Sequence, residues 1–293
     1  MSRDEIIIAG PCSKTAFVAI LALLTFGALA TTASAQPGDI KAIDKIFQDH
    51  YARGNYSAAQ IDAQELERLV KARFGADHPD YAVALNKLAA VHQRQGKYSE
   101  AEGLFKRALA IRERALGARH AAVGESVNNL AVVYWRQGKY SEAEGLYKRA
   151  LAIRETALGA NHPDVGQTLH NLGLVHAAQR KYGEAEGVYK RALTIRETAF
   201  GANHPDVAWT LNNLALVYRD QGKYTEAAGL FERALTIREK ALGGSPPVVG
   251  QSLNNLAFVY WTQGKYRERD ADLKIKAFTR LNTVDRLLRS ARI

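Results

Sequence analysis

Histidine is the residue in this chain whose spacing most suggests a chemical site. Four histidines recur at intervals of 42 residues: His78, His120, His162 and His204. Histidine can bind a metal ion or act as a general base near neutral pH. Zinc needs its ligands at about 2 Å, whereas stacked helices pack about 10 Å apart, so successive members of this series cannot share one ion. We therefore expect them to shape the turn at the start of a helix.

Other residue types that carry catalysis form no recognisable site. The only cysteine is Cys12, and the sequence has no glycine-rich phosphate loop and no nucleophile elbow. His92 and His176 each stand 42 residues before a tyrosine, in the same periodic series. We therefore expect core histidines whose ring N–H is satisfied by a hydrogen bond. The sequence therefore predicts a protein that is not an enzyme and that holds no metal and no cofactor.

Charged residues also recur at intervals of 42 residues. Three glutamates stand four residues before a lysine, which favours helix-surface ion pairs worth about 0.2–0.5 kcal/mol: Glu102 and Lys106, Glu144 and Lys148, Glu186 and Lys190. Four arginines each precede a glutamate, and we expect this neutralised series to be solvated surface: Arg112, Arg154, Arg196 and Arg238.

The elements that would position these side chains repeat with the same period. A Gly-Lys-Tyr turn recurs at Gly96, Gly138, Gly222 and Gly264, with Arg180 in the same slot. Apolar residues follow helical spacing on both sides of each turn, and small ones alternate with large ones. Asn203, three residues before Asp206, predicts a helix N-cap. A fixed period of this length predicts an all-α solenoid of helix pairs, in which each unit buries its apolar face against its neighbours.

The repeated pattern resembles a known family. Leu-x-x-Leu-Ala-x-x-Tyr, the Gly-Lys-Tyr turn and Glu-Ala…Tyr/Phe…Arg-Ala-Leu are similar to the tetratricopeptide repeat, over roughly residues 40–266. The 42-residue period and the His-Pro-Asp start resemble the kinesin-light-chain subtype. The resemblance implies a right-handed superhelical solenoid of antiparallel helix pairs whose first helices line a concave groove. Such repeats serve many unrelated assemblies, so it names no partner.

The domain boundaries follow from where the repeat pattern holds. Residues 1–35 contain an uncharged apolar run and then Ala33-Ser-Ala35, which predicts a cleaved secretory signal, with an uncleaved anchor as the alternative. The expected protein is exported, periplasmic or secreted, and begins near Gln36. We expect a degenerate first unit over 36–81, four regular units over 82–243, and a last unit with a capping helix over 244–293. The alternative for the last segment is the cut end of a longer array.

A second face of the first helix in each unit carries the candidate binding site. At 100° per residue, Trp209 and Asn213 lie opposite the apolar side formed by Leu211 and Leu214. An amide both donates and accepts, which suits the backbone of an extended peptide, although hydrogen bonds between repeats are the alternative. Tryptophan and arginine are enriched in binding hot spots, and packing between first helices is the alternative for two of the tryptophans. The predicted peptide-binding residues are Asn86, Arg94, Asn128, Asn129, Trp135, Arg136, His170, Asn171, Trp209, Asn212, Asn213, Arg219, Asn254, Asn255 and Trp261.

Charge and composition leave two functional hypotheses. The chain has 40 basic and 30 acidic residues, a net charge of +10, which favours an acidic protein or peptide partner. The first hypothesis is a scaffold that binds an extended peptide in its groove. The alternative is a structural or regulatory subunit that docks through its convex surface. Nucleic acid is not expected, because the basic series alternate with acidic residues.

Overall fold

The computed structural model describes residues 37–242 and 247–263, and short turns join the helices between residues 37 and 242. The first helix of each unit has 16 residues: α1 (Pro37–Ala52), α3 (Pro79–Arg94), α5 (Ala121–Arg136), α7 (Pro163–Ala178), α9 (Pro205–Asp220) and α11 (Pro247–Thr262). The second has 19: α2 (Tyr56–Phe74), α4 (Tyr98–Leu116), α6 (Tyr140–Leu158), α8 (Tyr182–Phe200) and α10 (Tyr224–Leu242). Consecutive helices pack in pairs, and the described residues contain no strand, so the predicted all-α solenoid of helix pairs is confirmed. The predicted signal and the capping segment beyond residue 263 lie outside the described residues.

The turn between the two helices of a unit requires a left-handed backbone. Gly96, Gly138 and Gly222 all have a φ of 77°, which glycine adopts without steric cost. Arg180 occupies the same slot with a φ of 60°, the only described residue other than glycine with a positive φ. The repeat therefore tolerates one strained residue at a position where its other copies have glycine.

Histidine caps the first helices α3, α5, α7 and α9, and the spacing of the histidines led us to expect a role in this turn. Nδ1 of His78, His120, His162 and His204 accepts a hydrogen bond from the backbone amide two residues later, at 3.1–3.2 Å. The prediction that Asn203 supplies the cap was wrong, because the helix begins one residue later and His204 is its N-cap. The imidazole satisfies one of the amides that the first turn leaves unpaired.

On four of the second helices, α4, α6, α8 and α10, the core places a large side chain opposite a small one on the first helix of the same unit. Phe105, Tyr147, Tyr189 and Phe231 are at most 2% exposed and recur every 42 residues. Opposite Tyr189 stands Gly173, where an added Cβ would lie 2.6 Å from the tyrosine ring. The predicted alternation of small and large residues is confirmed, and it lets paired helices approach closely.

In the first unit, burial differs among the apolar residues. Phe47 is buried, and so are Leu66, Leu69 and Val70. Ile46 on α1, by contrast, is 43% exposed. The first unit therefore buries less of α1 than its apolar sequence suggests.

No described helix is both long enough and apolar enough to cross a membrane.

Candidate binding face

The fifteen predicted binding residues all lie on first helices, and we call the surface that they form the first-helix face. Most of its amides are buried: Asn86, Asn128, Asn171, Asn212 and Asn213 are 2–8% exposed, as is His170. Asn129 and Asn255 are half-buried, and Asn254 is exposed. The buried amides therefore leave little surface for a ligand to contact.

The buried amides form hydrogen bonds between neighbouring repeats. Asn171 Nδ2 donates to Asn128 Oδ1 at 3.4 Å, and Asn255 Nδ2 donates to Asn212 Oδ1 at 3.5 Å. Asn213 Nδ2 lies 3.3 Å from His170 Nε2 in the same arrangement. Each bond joins positions 43 residues apart, so the alternative of inter-repeat hydrogen bonding is confirmed for these residues. A role for them in peptide binding stays a prediction.

His170 is a buried, neutral member of this series. Burial and the nearby Arg196 guanidinium hold the pKa of its imidazole well below the usual value. Its Nδ1 lies 3.3 Å from Arg196 Nη1, and its ring meets Tyr189 edge-on at 5.5 Å. A neutral imidazole has one acceptor nitrogen and one N–H donor, so the tautomer decides whether His170 accepts from Arg196 at Nδ1 or from Asn213 at Nε2.

The three tryptophans occupy three different environments. Trp135 is 9% exposed and its Nε1 is buried, so the prediction that it lies outside the core was wrong. Trp209 is half-buried, with the Arg238 guanidinium 4.6 Å from its ring centre. Trp261 is 63% exposed, and its ring centre lies 6.3 Å from that of Phe258, which is 47% exposed. Of the three, Trp261 has the free surface that a binding anchor needs.

The arginines of the first-helix face keep more surface than the amides. Arg94 is exposed, and Arg136 is half-buried with its guanidinium 5.0 Å from the Trp135 ring centre. Arg219 Nε and Nη2 both donate to Oδ1 of its neighbour Asp220, at 2.9 and 2.8 Å. These side chains therefore place positive charge beside apolar rings along the face.

Four arginines on the second helices are buried, and the prediction that they form a solvated surface was wrong. Arg112, Arg154, Arg196 and Arg238 are 3–4% exposed. Arg154 Nη1 donates to Asp164 O at 2.9 Å and to Thr168 Oγ1 at 2.8 Å, both in the first helix of the next unit. The corresponding acceptors are Ala122 O and Ser126 Oγ for Arg112, Asp206 O and Thr210 Oγ1 for Arg196, and Val248 O and Ser252 Oγ for Arg238.

Burial dominates the electrostatics of these arginines. It lowers the pKa of Arg154 and of Arg196, and it lowers that of Arg238 to about 10. The glutamates after Arg154 and Arg196 pair elsewhere: Glu155 with Arg191 at 2.6 Å, and Glu197 with Arg233 at 2.5 Å. Neutral oxygens accept from all four buried guanidinium groups, and Arg112 Nη1 also pairs with Glu125 Oε2 at 3.0 Å.

A sequence signal for the buried arginines exists. Each stands 14 residues before a serine or threonine and 30 residues after a glycine or alanine. At Gly124 an added Cβ would lie 3.0 Å from Arg154 Cγ, so the small residue makes room for the stem. The hydroxyl and the small residue together distinguish a buried arginine from a surface one.

Three glutamates also join neighbouring repeats. Glu144 accepts from Lys148 at 2.6 Å, as the spacing predicts, and from Lys181 of the next unit at 2.9 Å. These two bonds lower the pKa of Glu144 to about 2. For Glu102, burial opposes ionisation, but bonds from Lys106, Gln137 and Tyr134 outweigh it, and the pKa is also about 2.

Acid should therefore weaken the array. Glu186 has a pKa of about 2 as well, so three carboxylates have pKa values below their usual 4.5. A lowered pKa adds stability above pH 4.5 that is lost as the pH falls toward 2, by about 1 kcal/mol for each carboxylate after solvent screening. Urea unfolding at pH 7, 4 and 2.5 measures this loss. The Glu102→Gln, Glu144→Gln, Glu186→Gln triple variant should be less stable at pH 7 and show a flatter pH profile; an equally steep profile would contradict the assignment.

One group of potential metal ligands lies outside the first-helix face. Glu144, His176 and Glu184 place one ligand atom each within 4.8 Å of one another. Nδ1 of His176 is buried and lies 3.3 Å from Glu184 Oε2, whereas Nδ1 of His92 is buried without a hydrogen bond, so the expectation of a satisfied core histidine is not met at His92 Nδ1. Both oxygens of Glu144, however, accept from lysine ammonium groups, which repel a cation.

Removing metal ions should leave the stability unchanged. The ammonium groups of Lys148 and Lys181 would have to leave Glu144 before a cation could bind there. We expect treatment with EDTA to shift the melting temperature by less than the error of the measurement. A decrease that Zn²⁺ restores, and that the His176→Phe variant lacks, would show that the cluster holds a metal.

The described part of the chain is thus an α-solenoid, a class of fold in which stacked helix pairs offer a continuous surface to other macromolecules. The profile of the tetratricopeptide repeat matches five overlapping stretches, residues 48–114, 81–156, 123–198, 164–240 and 206–268. The chain belongs to the tetratricopeptide repeat family.

Solved structures with a similar fold come from bacteria and a fungus. BtubC (BKLC) from P. vanneervenii is 25% identical, with a TM-score of 0.60 over 86% of this chain and 91% of that one. A proposed kinesin light chain of Podosopora anserina with nearly identical TPR-like repeats is 23% identical, with a TM-score of 0.58 over 71% and 98%. Pseudomonas aeruginosa pilF is 19% identical, with a TM-score of 0.57 over 84% and 91%. A search of curated protein sequences finds no significant match.

Proposed function

We propose that this chain is a non-catalytic scaffold that binds an extended segment of a partner protein along its first-helix face. The observation that carries the proposal is membership of the tetratricopeptide repeat family, in which stacked helix pairs serve protein–protein interaction. The face adds exposed or half-buried aromatic and basic side chains, at Trp209, Trp261, Arg94 and Arg136. These residue types dominate the energetics of protein interfaces.

The second-helix surface supports the alternative function less well. Its charged side chains form ion pairs, such as those of Glu186 with Lys190 at 2.7 Å and with Lys223 at 3.2 Å. Two of its exposed aromatic rings, Phe74 and Phe200, pack beside the capping rings of His78 and His204. A surface whose charges are paired and whose aromatic rings are packed leaves a partner few unpaired charges and little apolar area to bind.

Capture of the partner followed by a titration tests the proposal. The partner is isolated from the native compartment with the wild-type chain and identified, and its affinity is then measured for two variants. Trp261→Ala should weaken binding by about 2 kcal/mol, and Arg136→Ala should cause a loss that shrinks at high salt. Lys190→Ala on the second-helix surface is the control. Loss of binding in the control alone would favour the convex-surface alternative.

We also propose that the protein is exported. The support is the apolar run before Ala33-Ser-Ala35, in a segment with the length and order of a secretory signal. The native protein should begin near Gln36. N-terminal sequencing of protein from its native source decides the matter, and an intact Met1 or Ser2 would contradict the proposal.

A further inference from the structure

A cavity of about 290 Å³ lies between α1, α2 and α3. The apolar part of its lining is formed by Ile40, Leu66, Val70, Phe74, Val83 and Ala84. Val83 and Phe74 are each 39% exposed, so the cavity is reached from solvent, whereas Val70 and Ala84 at its base are buried. A concave apolar site of this kind is the usual form of a ligand pocket.

The cavity lies where other repeats bury an arginine. Arg154 contacts Asp164 and Thr168 by hydrogen bonds and packs its stem over Gly124. Two repeats earlier, the corresponding residues are Asp80, Ala84 and Ile40, and all three line the cavity. Val70 stands in the place of Arg154 and is too short to fill the same space.

The first unit lacks all the residue types that accompany a buried arginine in the later units. Where an arginine is buried, the partner positions hold a glycine or alanine and a serine or threonine, as with Ala82, Arg112 and Ser126. The first unit has Ile40, Val70 and Ala84 instead. The first unit therefore has neither the arginine donor nor the hydroxyl acceptor at these positions. The base of the cavity is apolar and does not favour a polar side chain.

The rim of the cavity is charged, with cations in excess. Lys41, Arg73 and Lys87 face Asp44 and Asp80. Asp44 pairs with Lys87, and the Asp80 carboxylate lies 3.6 Å from His78 Nδ1. An occupant with an apolar anchor and neighbouring carboxylates would therefore complement both the base and the rim.

We propose that this cavity receives a leucine, methionine or phenylalanine side chain of a partner protein, next to aspartate or glutamate in the partner's sequence. The cavity adjoins Lys87 on α3, one helix of the first-helix face, so an extended segment held along that face could place one side chain in it. The inference rests on the proposed function and adds to it the chemical class of the anchor residue.

The chain itself supplies the design of an occluded variant. Ile40→Ala, Val70→Arg and Ala84→Ser together reproduce the set found at Ala82, Arg112 and Ser126, which buries its arginine. The variant should fill the cavity with a side chain that the repeat already accommodates. Val83→Glu is the second variant, because Glu125 is exposed at the corresponding position and a carboxylate at the mouth should repel an acidic partner.

Selection from a phage-displayed library of random 12-residue peptides on the full-length chain tests the proposal. The selected peptides should share a leucine, methionine or phenylalanine beside an acidic residue. Changing that anchor to serine should weaken binding to the wild type about 10-fold or more, and the occluded variant should lose this difference. Val83→Glu should weaken binding of the same peptides while its circular dichroism melt matches the wild type.

The outcomes separate this inference from the proposed function. Selected peptides without an apolar anchor, or with arginine as the anchor, would overturn the cavity assignment and leave the scaffold function standing. Equal binding to wild type and both variants would do the same. Failure to select any peptide would count against peptide binding itself. If sedimentation shows a wild-type dimer and monomeric variants, the occupant is a second copy of the chain and the proposal is wrong.

Discussion

Replacing Arg154 with valine should destabilise the array by about 3 kcal/mol. The side chain is 3% exposed, and its Nη1 bonds to the Asp164 carbonyl and the Thr168 hydroxyl tie α6 to α7 of the next unit. Truncation removes the buried stem and leaves a void at the junction between two units. Because a solenoid is stabilised by contacts between nearest neighbours, the loss should concentrate in this junction.

A double-mutant cycle isolates the hydrogen bond from the packing. Thr168→Ala alone should also destabilise, since it removes one acceptor from a buried guanidinium. The double variant Arg154→Val, Thr168→Ala reproduces the pair Val70 and Ala84, which the first unit buries without either group. Its loss should be smaller than the sum of the two single losses by about 1–2 kcal/mol.

Urea unfolding followed by circular dichroism measures the cycle, with the data fitted to a nearest-neighbour model of repeat units. A single-variant loss below about 1 kcal/mol would show that desolvation of the guanidinium cancels its hydrogen bonds. Strict additivity of the two changes would mean that Arg154 and Thr168 do not act as a pair.

Replacing four helix-interior glycines with alanine should stabilise the array by about 2–4 kcal/mol. Gly103, Gly145, Gly187 and Gly229 lie within the second helices, and a Cβ added at any of them would meet no atom within 4 Å. Close approach of another backbone therefore does not explain these glycines. Alanine lowers the conformational entropy of the unfolded chain, and these sites are far enough apart for the gains to add.

Gly173→Ala is the matched control for the quadruple variant. It introduces the same methyl group into a helix of the same array, but 2.6 Å from Tyr189 Cε1, so it should destabilise. Urea unfolding of both variants beside the wild type measures the two effects. A quadruple variant no more stable than the wild type would show that these glycines have a role other than lowering helix stability.

The sequence alone determined the helix pairs and their turns with considerable detail. Period and turn chemistry are local properties, so Gly96 and its copies could be located without knowing what packs against them. The same holds for the pairing of Glu144 with Lys148, because residues four apart on one helix are neighbours in any fold. The N-cap was misplaced by one residue, since Asn203 and His204 are both able to accept from the first turn and only the backbone path selects between them.

Which polar residues are buried depended on the tertiary structure. Helical spacing places Asn128 and Trp135 on a face opposite the apolar one, but it does not show that the neighbouring repeat covers part of that face. Arg154 has a glutamate beside it in the sequence and none bonded to it in the fold, because its partners come from the next unit. The cavity at Val70 likewise forms because the side chains of α1 and α3 do not fill the space beside this residue. A repeat sequence determines each unit's own helices, whereas the contact between units decides which of their polar groups meet solvent.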